Sequence, residues 1–195
     1  INYNFPKNIS VHEYLGKQYF GKDKLTLRDR LILELFYATG VRISELVAIR
    51  FRDIRIEEGI IHVLGKGSKE RVVMIGSDAQ DTLRRYQKFL YDQQIAYQDN
   101  FLFPALRTKS ENGHISIRTV FNIAKKYLRQ VSDDEKLSPH SLRHTFATHM
   151  LNSGANLMAI KDLLGHSSLS STQVYTHLHP EKLKKIYAKS HPHGK

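Results

Sequence analysis

A chain of 195 residues, 41% hydrophobic, is long enough for one domain with a substantial core. Thirty Lys and Arg against nineteen Asp and Glu leave a formal charge of +11, which points to a polyanionic partner, DNA or RNA first. The absence of cysteine excludes disulfides, thiolate nucleophiles and Cys-ligated zinc, in keeping with a reducing cytoplasm, and no apolar run of about 18 residues offers a membrane span.

Residues 1–24 read as a linker and lead-in segment with a short helix around Val11–Tyr19. Leu27, Leu31, Leu35 and Ala38 recur at helical spacing, so a helix runs from Thr26, which can cap it, to Thr39, with Gly40 as a left-handed stop. Ser44 is expected to cap a second helix, with Glu45 in its first turn and Leu46, Val47 and Ile49 inward. Arg42 stands at the junction, where, taken alone, a surface pairing with Glu45 accounts for it more readily than a ligand does.

Between residues 54 and 75 the period changes. Ile54 and Ile56, then Ile60, Ile61, Val63 and Leu64, then Val72, Val73 and Ile75 are β-branched runs. They predict a three-stranded antiparallel sheet, turning first at Glu58-Gly59 and then through the basic, glycine-bearing tip Gly65–Glu70. Lys66, between two glycines, is long enough to reach a ligand, although a solvated hairpin lysine would look the same. The tip lacks the Walker spacing, so no nucleotide site is read there.

Ser77 and Gln80 predict a capping box for a helix reaching about Tyr91. Residues 92–115 are loop-rich. Ser116 should cap a helix from Ile117 to about Gln130, whose Arg118, Lys125, Lys126 and Arg129 form a stripe suited to a phosphate backbone or simply to solvent. Ser138 reads as the N-cap and Pro139 as the first residue of a helix ending at Asn152. Asn156 caps Leu157–Leu164, which Gly165 closes, and Ser170 or Ser171 caps a short helix holding Tyr175. Pro180 opens a last, lysine-rich helix whose thin apolar edge, Leu183 and Ile186, suits docking on a partner better than burial on its own domain. The expected fold is mainly α with one small three-stranded antiparallel sheet, an α+β arrangement.

His140 and Arg143 lie three residues apart at a helix N-terminus, where free N–H groups favour an anion. His140 and His144 could instead share a metal with His149 or His166, but no carboxylate lies nearby and the spacing is not H-E-x-x-H. His144 and His149 also suit a helix core. Metal-free phosphoryl transfer uses more of the set. Its transition state needs guanidinium forks and imidazole donors, which Arg42, Arg143, His140 and His166 offer. A tyrosine could supply a covalent nucleophile, and Lys66 a proton for the leaving oxygen.

Four boxes in this chain resemble those of the tyrosine recombinases, the phage-integrase-like family. They are Ala38-Thr39-Gly40-Val41-Arg42-Ile43-Ser44-Glu45-Leu46, Gly65-Lys66-Gly67-Ser68-Lys69-Glu70-Arg71, His140-Ser141-Leu142-Arg143-His144, and Leu164-Gly165-His166 followed by Thr172-Gln173-Val174-Tyr175. They fall in family order across residues 26–178, and the tail is similar to the Xer branch, which resolves chromosome dimers. The resemblance implies a site-specific DNA recombinase in which Tyr175 attacks the scissile phosphate to give a 3′-phosphotyrosine. Arg42 and Arg143 would clamp that phosphate, His140 would accept the phenol proton, His166 would bond a phosphate oxygen, Lys66 would protonate the 5′-oxygen, and Glu45 would orient the cluster. Lys69, Arg71, Arg118, Lys125 and Lys126 would contact the DNA backbone. No metal or cofactor is implied.

The expected partners are double-stranded DNA carrying a specific site and, through the C-terminal helix, a homo- or hetero-tetramer; no membrane is expected. The expected organisation is a lead-in segment at 1–24, a catalytic domain at 25–178 and a basic helix and tail at 179–195, without the amino-terminal DNA-binding domain that relatives carry. A cytoplasmic, nucleoid-associated location follows from the same reading. An integrase of a mobile element, a type IB topoisomerase, a metal-dependent nuclease and a non-catalytic basic DNA-binding module are the competing readings.

Overall fold

The structure, a computed structural model, describes residues 24–65, 70–94, 100–105, 113–129, 137–165 and 180–191. Residues 1–23 of the expected lead-in segment at 1–24, with its helix around Val11–Tyr19, lie outside the described residues. Seven helices and a three-stranded antiparallel sheet make up the described fold.

Helix α1 (Lys24–Thr39) is the centre of the main core. Every residue from Leu31 to Val41 is buried, so the C-terminal half of this helix is enclosed on all sides rather than along one stripe. Helix α2 (Ile43–Ala48) follows after a short turn, then a 3₁₀ turn at Phe51–Asp53 and strands β1 (Ile54–Arg55), β2 (Ile60–Leu64) and β3 (Glu70–Met74). Helices α3 (Ser77–Asp92), α4 (Ile117–Leu128) and α5 (Pro139–Asn152) pack against α1, and α6 (Leu157–Leu164) and α7 (Pro180–Ser190) complete the fold.

The sheet packs on both faces, the second only towards its Ile60–Met74 end, since His62 and Leu64 are exposed. Its register pairs Ile61 with Val73 and Val63 with Arg71. Because side chains alternate along a strand, Ile61, Val63 and Val73 enter the core around α1. Ile60, Val72 and Met74 point the other way, into a second cluster formed with Phe146 and Met150 of α5, Leu163 and Leu164 of α6, and Leu183 and Tyr187 of α7.

That second cluster revises the expectation for α7. Leu183, Tyr187, Ser190 and His191 are buried on the helix's own domain, and Ile186 packs beside them. The His191 ring stacks on Tyr187 at 4.6 Å and its Nε2 lies 3.3 Å from the Tyr37 carbonyl. Two apolar positions alone suggest a weak dock; the structure adds two buried rings, Tyr187 and His191, to that edge.

Two caps also differ from expectation. The N-cap of α2 is Arg42, not Ser44, and the side chain of Glu45 accepts the Arg42 backbone N–H at 2.8 Å. Helix α3 is capped at Gly76 with Ser77 as its first residue, and the Gln80 amide turns back to the Ile75 carbonyl at 3.1 Å. The caps at Ser116 and Asn156 form as expected, accepting from the N–H groups of Thr119 at 3.1 Å and Met158 at 2.8 Å.

Candidate active site

The site forms where the turn after α1 meets the end of α6. Gly40 terminates α1 with a φ of +60°, a left-handed conformation that favours glycine. A Cβ there would lie 2.7 Å from Phe146 Cδ1 and 2.8 Å from Leu164 Cδ2, so the turn lies flush against α5 and α6. Gly165 ends α6 in the same conformation, φ +65°. The last carbonyls of a helix lack intrahelical partners and carry the negative end of its dipole.

Three successive carbonyls at this end receive three different arginines. Leu163 O accepts from Arg71 Nε at 3.0 Å, Leu164 O accepts from Arg143 Nη2, and Gly165 O accepts from Arg42 Nη2 at 3.2 Å. Arg143 also donates to the Gly40 carbonyl, which joins the ends of α1 and α6 through one guanidinium.

Glu45 sits at the centre. Arg71 grips it in a bidentate fork, Nη1 to Oε1 and Nη2 to Oε2, both 2.8 Å. Arg42 adds Nη1 to Oε1 at 2.9 Å as well as its backbone N–H. Burial would raise the Glu45 pKa, but the hydrogen bonds from Arg71 and Arg42 outweigh it and hold the carboxyl at about 2. Burial, reinforced by the neighbouring Arg42 and Arg71 charges, draws the Arg143 guanidinium down to about 10, so it stays cationic at neutral pH.

Three guanidiniums against one carboxylate leave two positive charges in excess. The exposures decide where that excess meets solvent. The side chains of Glu45, Arg71 and Arg42 are 3%, 12% and 34% exposed, and Arg143 as a residue 9%. The cluster therefore opens at Arg42, with a charge suited to a phosphate and the larger charge of its transition state.

His140 is exposed on the first turn of α5, as the sequence placed it. It lines an open hollow of about 700 Å³ with Ile43, Ile117, Arg118, Phe121 and Asn122. Arg118, read from sequence as a backbone contact, thus stands at the same hollow as His140. Lys126 and Arg129 are exposed on α4, Lys125 half-buried. His144 is exposed, against the expectation of a core position, while His149 is half-buried with its Nδ1 2.9 Å from the Tyr37 hydroxyl. Lys66, Lys69, His166 and Tyr175 lie outside the described residues.

Sequence reasoning placed Arg71 on the DNA; the structure turns its guanidinium into the cluster. The signal was present in the strand pattern. With Val73 facing the core, period-two alternation puts Arg71 on the same face.

A model of the phage integrase family matches residues 15–182. The tyrosine recombinase XerC of Thermodesulfovibrio yellowstonii is 43% identical over 175 residues, covering 89% of this chain and 58% of that protein. The tyrosine recombinase XerD of Haemophilus ducreyi is 42% identical over 176 residues, covering 88% and 57%. The chain thus spans little more than half the length of these curated relatives. Among solved structures, the XerA recombinase aligns with a TM-score of 0.62 at 26% identity, over 90% of this chain and 66% of that one. The XerH recombinase, in a pre-cleavage complex with its difH substrate, aligns at 0.67 and 24% identity, over 90% and 50%; at that identity the likeness speaks for the fold.

Proposed function

The chain belongs to the phage integrase family, and on that premise we propose that it is the catalytic part of a tyrosine-type site-specific DNA recombinase of the Xer kind, acting in chromosome dimer resolution. The observation that carries this reading is the convergence of Arg42 and Arg143 on the end of α6, with His140 exposed three residues before Arg143 on α5.

The chemistry is a transesterification. The phenol oxygen of Tyr175 attacks the scissile phosphorus, and the bond to the 5′-oxygen breaks, leaving a 3′-phosphotyrosyl diester. His140 takes the phenol proton and Lys66 gives a proton to the departing 5′-oxygen. Negative charge grows on the non-bridging oxygens during attack. Arg42 and Arg143 meet it, with His166 as a further donor, and fixed donors cost little reorganisation as the charge develops. Religation runs the same steps backward, so the phosphodiester energy is retained and neither metal nor cofactor is required. Arg118, Lys125, Lys126 and Lys69 hold the duplex backbone, which makes affinity fall steeply with salt.

The proposed partners are duplex DNA carrying a specific site and other recombinase protomers in a homo- or hetero-tetramer. Exchange of α7 between protomers would require its release from Tyr37 and Phe146. A cytoplasmic, nucleoid-associated location goes with this reading; among the described residues no helix is long and apolar enough to cross a membrane. The test is a nicked suicide duplex, carrying a site selected by the protein from random-sequence DNA, incubated in EDTA and resolved on a denaturing gel. A covalent protein–DNA band that vanishes in Tyr175→Phe is expected. Its absence with the intact protein sinks the catalytic reading, and strand cleavage without a covalent band that occurs with a divalent metal and is abolished by EDTA favours a metal-dependent nuclease.

A further inference from the structure

We infer that Arg71 is a positioning residue of the reaction: it fixes Glu45, and through Glu45 the Arg42 guanidinium, against the end of α6. The inference rests on the proposed recombinase activity and assigns a role that the strand's basic character alone does not reveal.

The geometry separates this role from a contact to DNA. Arg71 donates through three nitrogens, two to Glu45 and one to the Leu163 carbonyl. Its side chain is 12% exposed, so it offers little surface to a duplex. Glu45 is shared with Arg42, the open member of the cluster, through Oε1. Without Arg71, Glu45 would keep, among the described residues, only its hydrogen bonds to Arg42, and the two could leave α6 together. With it, β3, α2 and α6 are cross-linked by one planar fork that a lysine cannot reproduce. Gly165 belongs to the same arrangement: a Cβ there would approach Arg71 Cδ and Nη1 to 3.1 Å and Nε to 3.2 Å.

The test uses the intact protein and the selected suicide duplex, measuring duplex affinity and the single-turnover rate of covalent adduct formation separately. Arg71→Ala is expected to slow adduct formation by about 100-fold, as a misplaced group about 1 Å from its productive position does, while affinity changes by less than about 3-fold. Arg71→Lys, which keeps the charge and most of the stem, should be nearly as slow. Glu45→Gln should be slow too, and the double variant no slower than the worse single one, because both remove the same linkage.

A loss of affinity with an unchanged adduct rate, or additive effects with Glu45→Gln, overturns the inference and makes Arg71 a backbone contact. Full activity in Arg71→Lys also overturns it, since a charge without a fork would then suffice. Should Arg71→Ala unfold, judged by thermal melting, the Lys variant decides alone. Failure of the unsubstituted protein to form any adduct counts against the activity itself, before Arg71 is varied.

Discussion

Arg42, Arg71 and Arg143 are held by carbonyls and one carboxylate, whereas Arg118, Lys126 and Arg129 stand exposed along α4. Both groups are basic and both suit a phosphodiester backbone. The first has its orientation set before any ligand arrives, because each guanidinium completes a helix end or neutralises Glu45. The second is exposed and, on the proposed function, would act through Coulomb attraction that salt screens. On the proposed function, the difference would separate cations that discriminate between ground and transition states from cations that gather the substrate.

The largest test of this contrast is Arg143→Ala. Removing a preorganised donor should slow covalent adduct formation by about 1,000-fold, and the Gly40 and Leu164 carbonyls left behind should cost about 1–3 kcal/mol of stability each. Gly40→Ala probes the scaffold instead of the charge. Left-handed strain and the clash with Phe146 and Leu164 should lower stability by about 2–4 kcal/mol, read from the midpoint of urea unfolding.

Glu45→Gln sharpens the comparison through pH. The folded carboxyl titrates near 2, below its ordinary 4.5, so its contribution is fully present above about 4.5 and is lost as pH falls through about 2. That difference corresponds to stability on the order of 3 kcal/mol, and the Gln variant should lack this part of the acid destabilisation when unfolding is followed between pH 6 and pH 2 (about those limits). The smallest effect belongs to the exposed set. Arg118→Ala or Lys126→Ala should each weaken duplex binding a few-fold and reduce the salt slope by about 1. Lys126→Ala should leave the adduct rate at saturation unaltered; a slowed rate there would erase the distinction between the two groups.

Much of the fold was legible along the chain. The helix boundaries at Pro139–Asn152 and Leu157–Leu164 follow from Ser138, Pro139, Asn156 and Gly165, because caps and stops are local chemistry. The sheet followed from the β-branched period and its two turns. The reach of α7 back to Tyr37 was not legible, since the second face of the sheet that it covers is assembled only after β3, α5 and α6 meet. The cap of α2 differs for a local reason: Ser44 is the usual capping type, but the Glu45 carboxylate, three residues on, already serves the N–H of Arg42.

The sequence by itself determined which residue types were available to a phosphate: arginines in two separated boxes, a histidine at a helix start, a lysine in a glycine-bearing tip and a tyrosine near the end. It could not rank those cations, because charge is a property of composition while orientation is a property of neighbours. Only the tertiary structure decided that Arg71 faces Glu45, that Arg143 joins the carbonyls of Gly40 and Leu164, and that Arg42 is left open. The physical reason is the end of α6, whose orphan carbonyls became partners for arginines from three other segments once the helices packed.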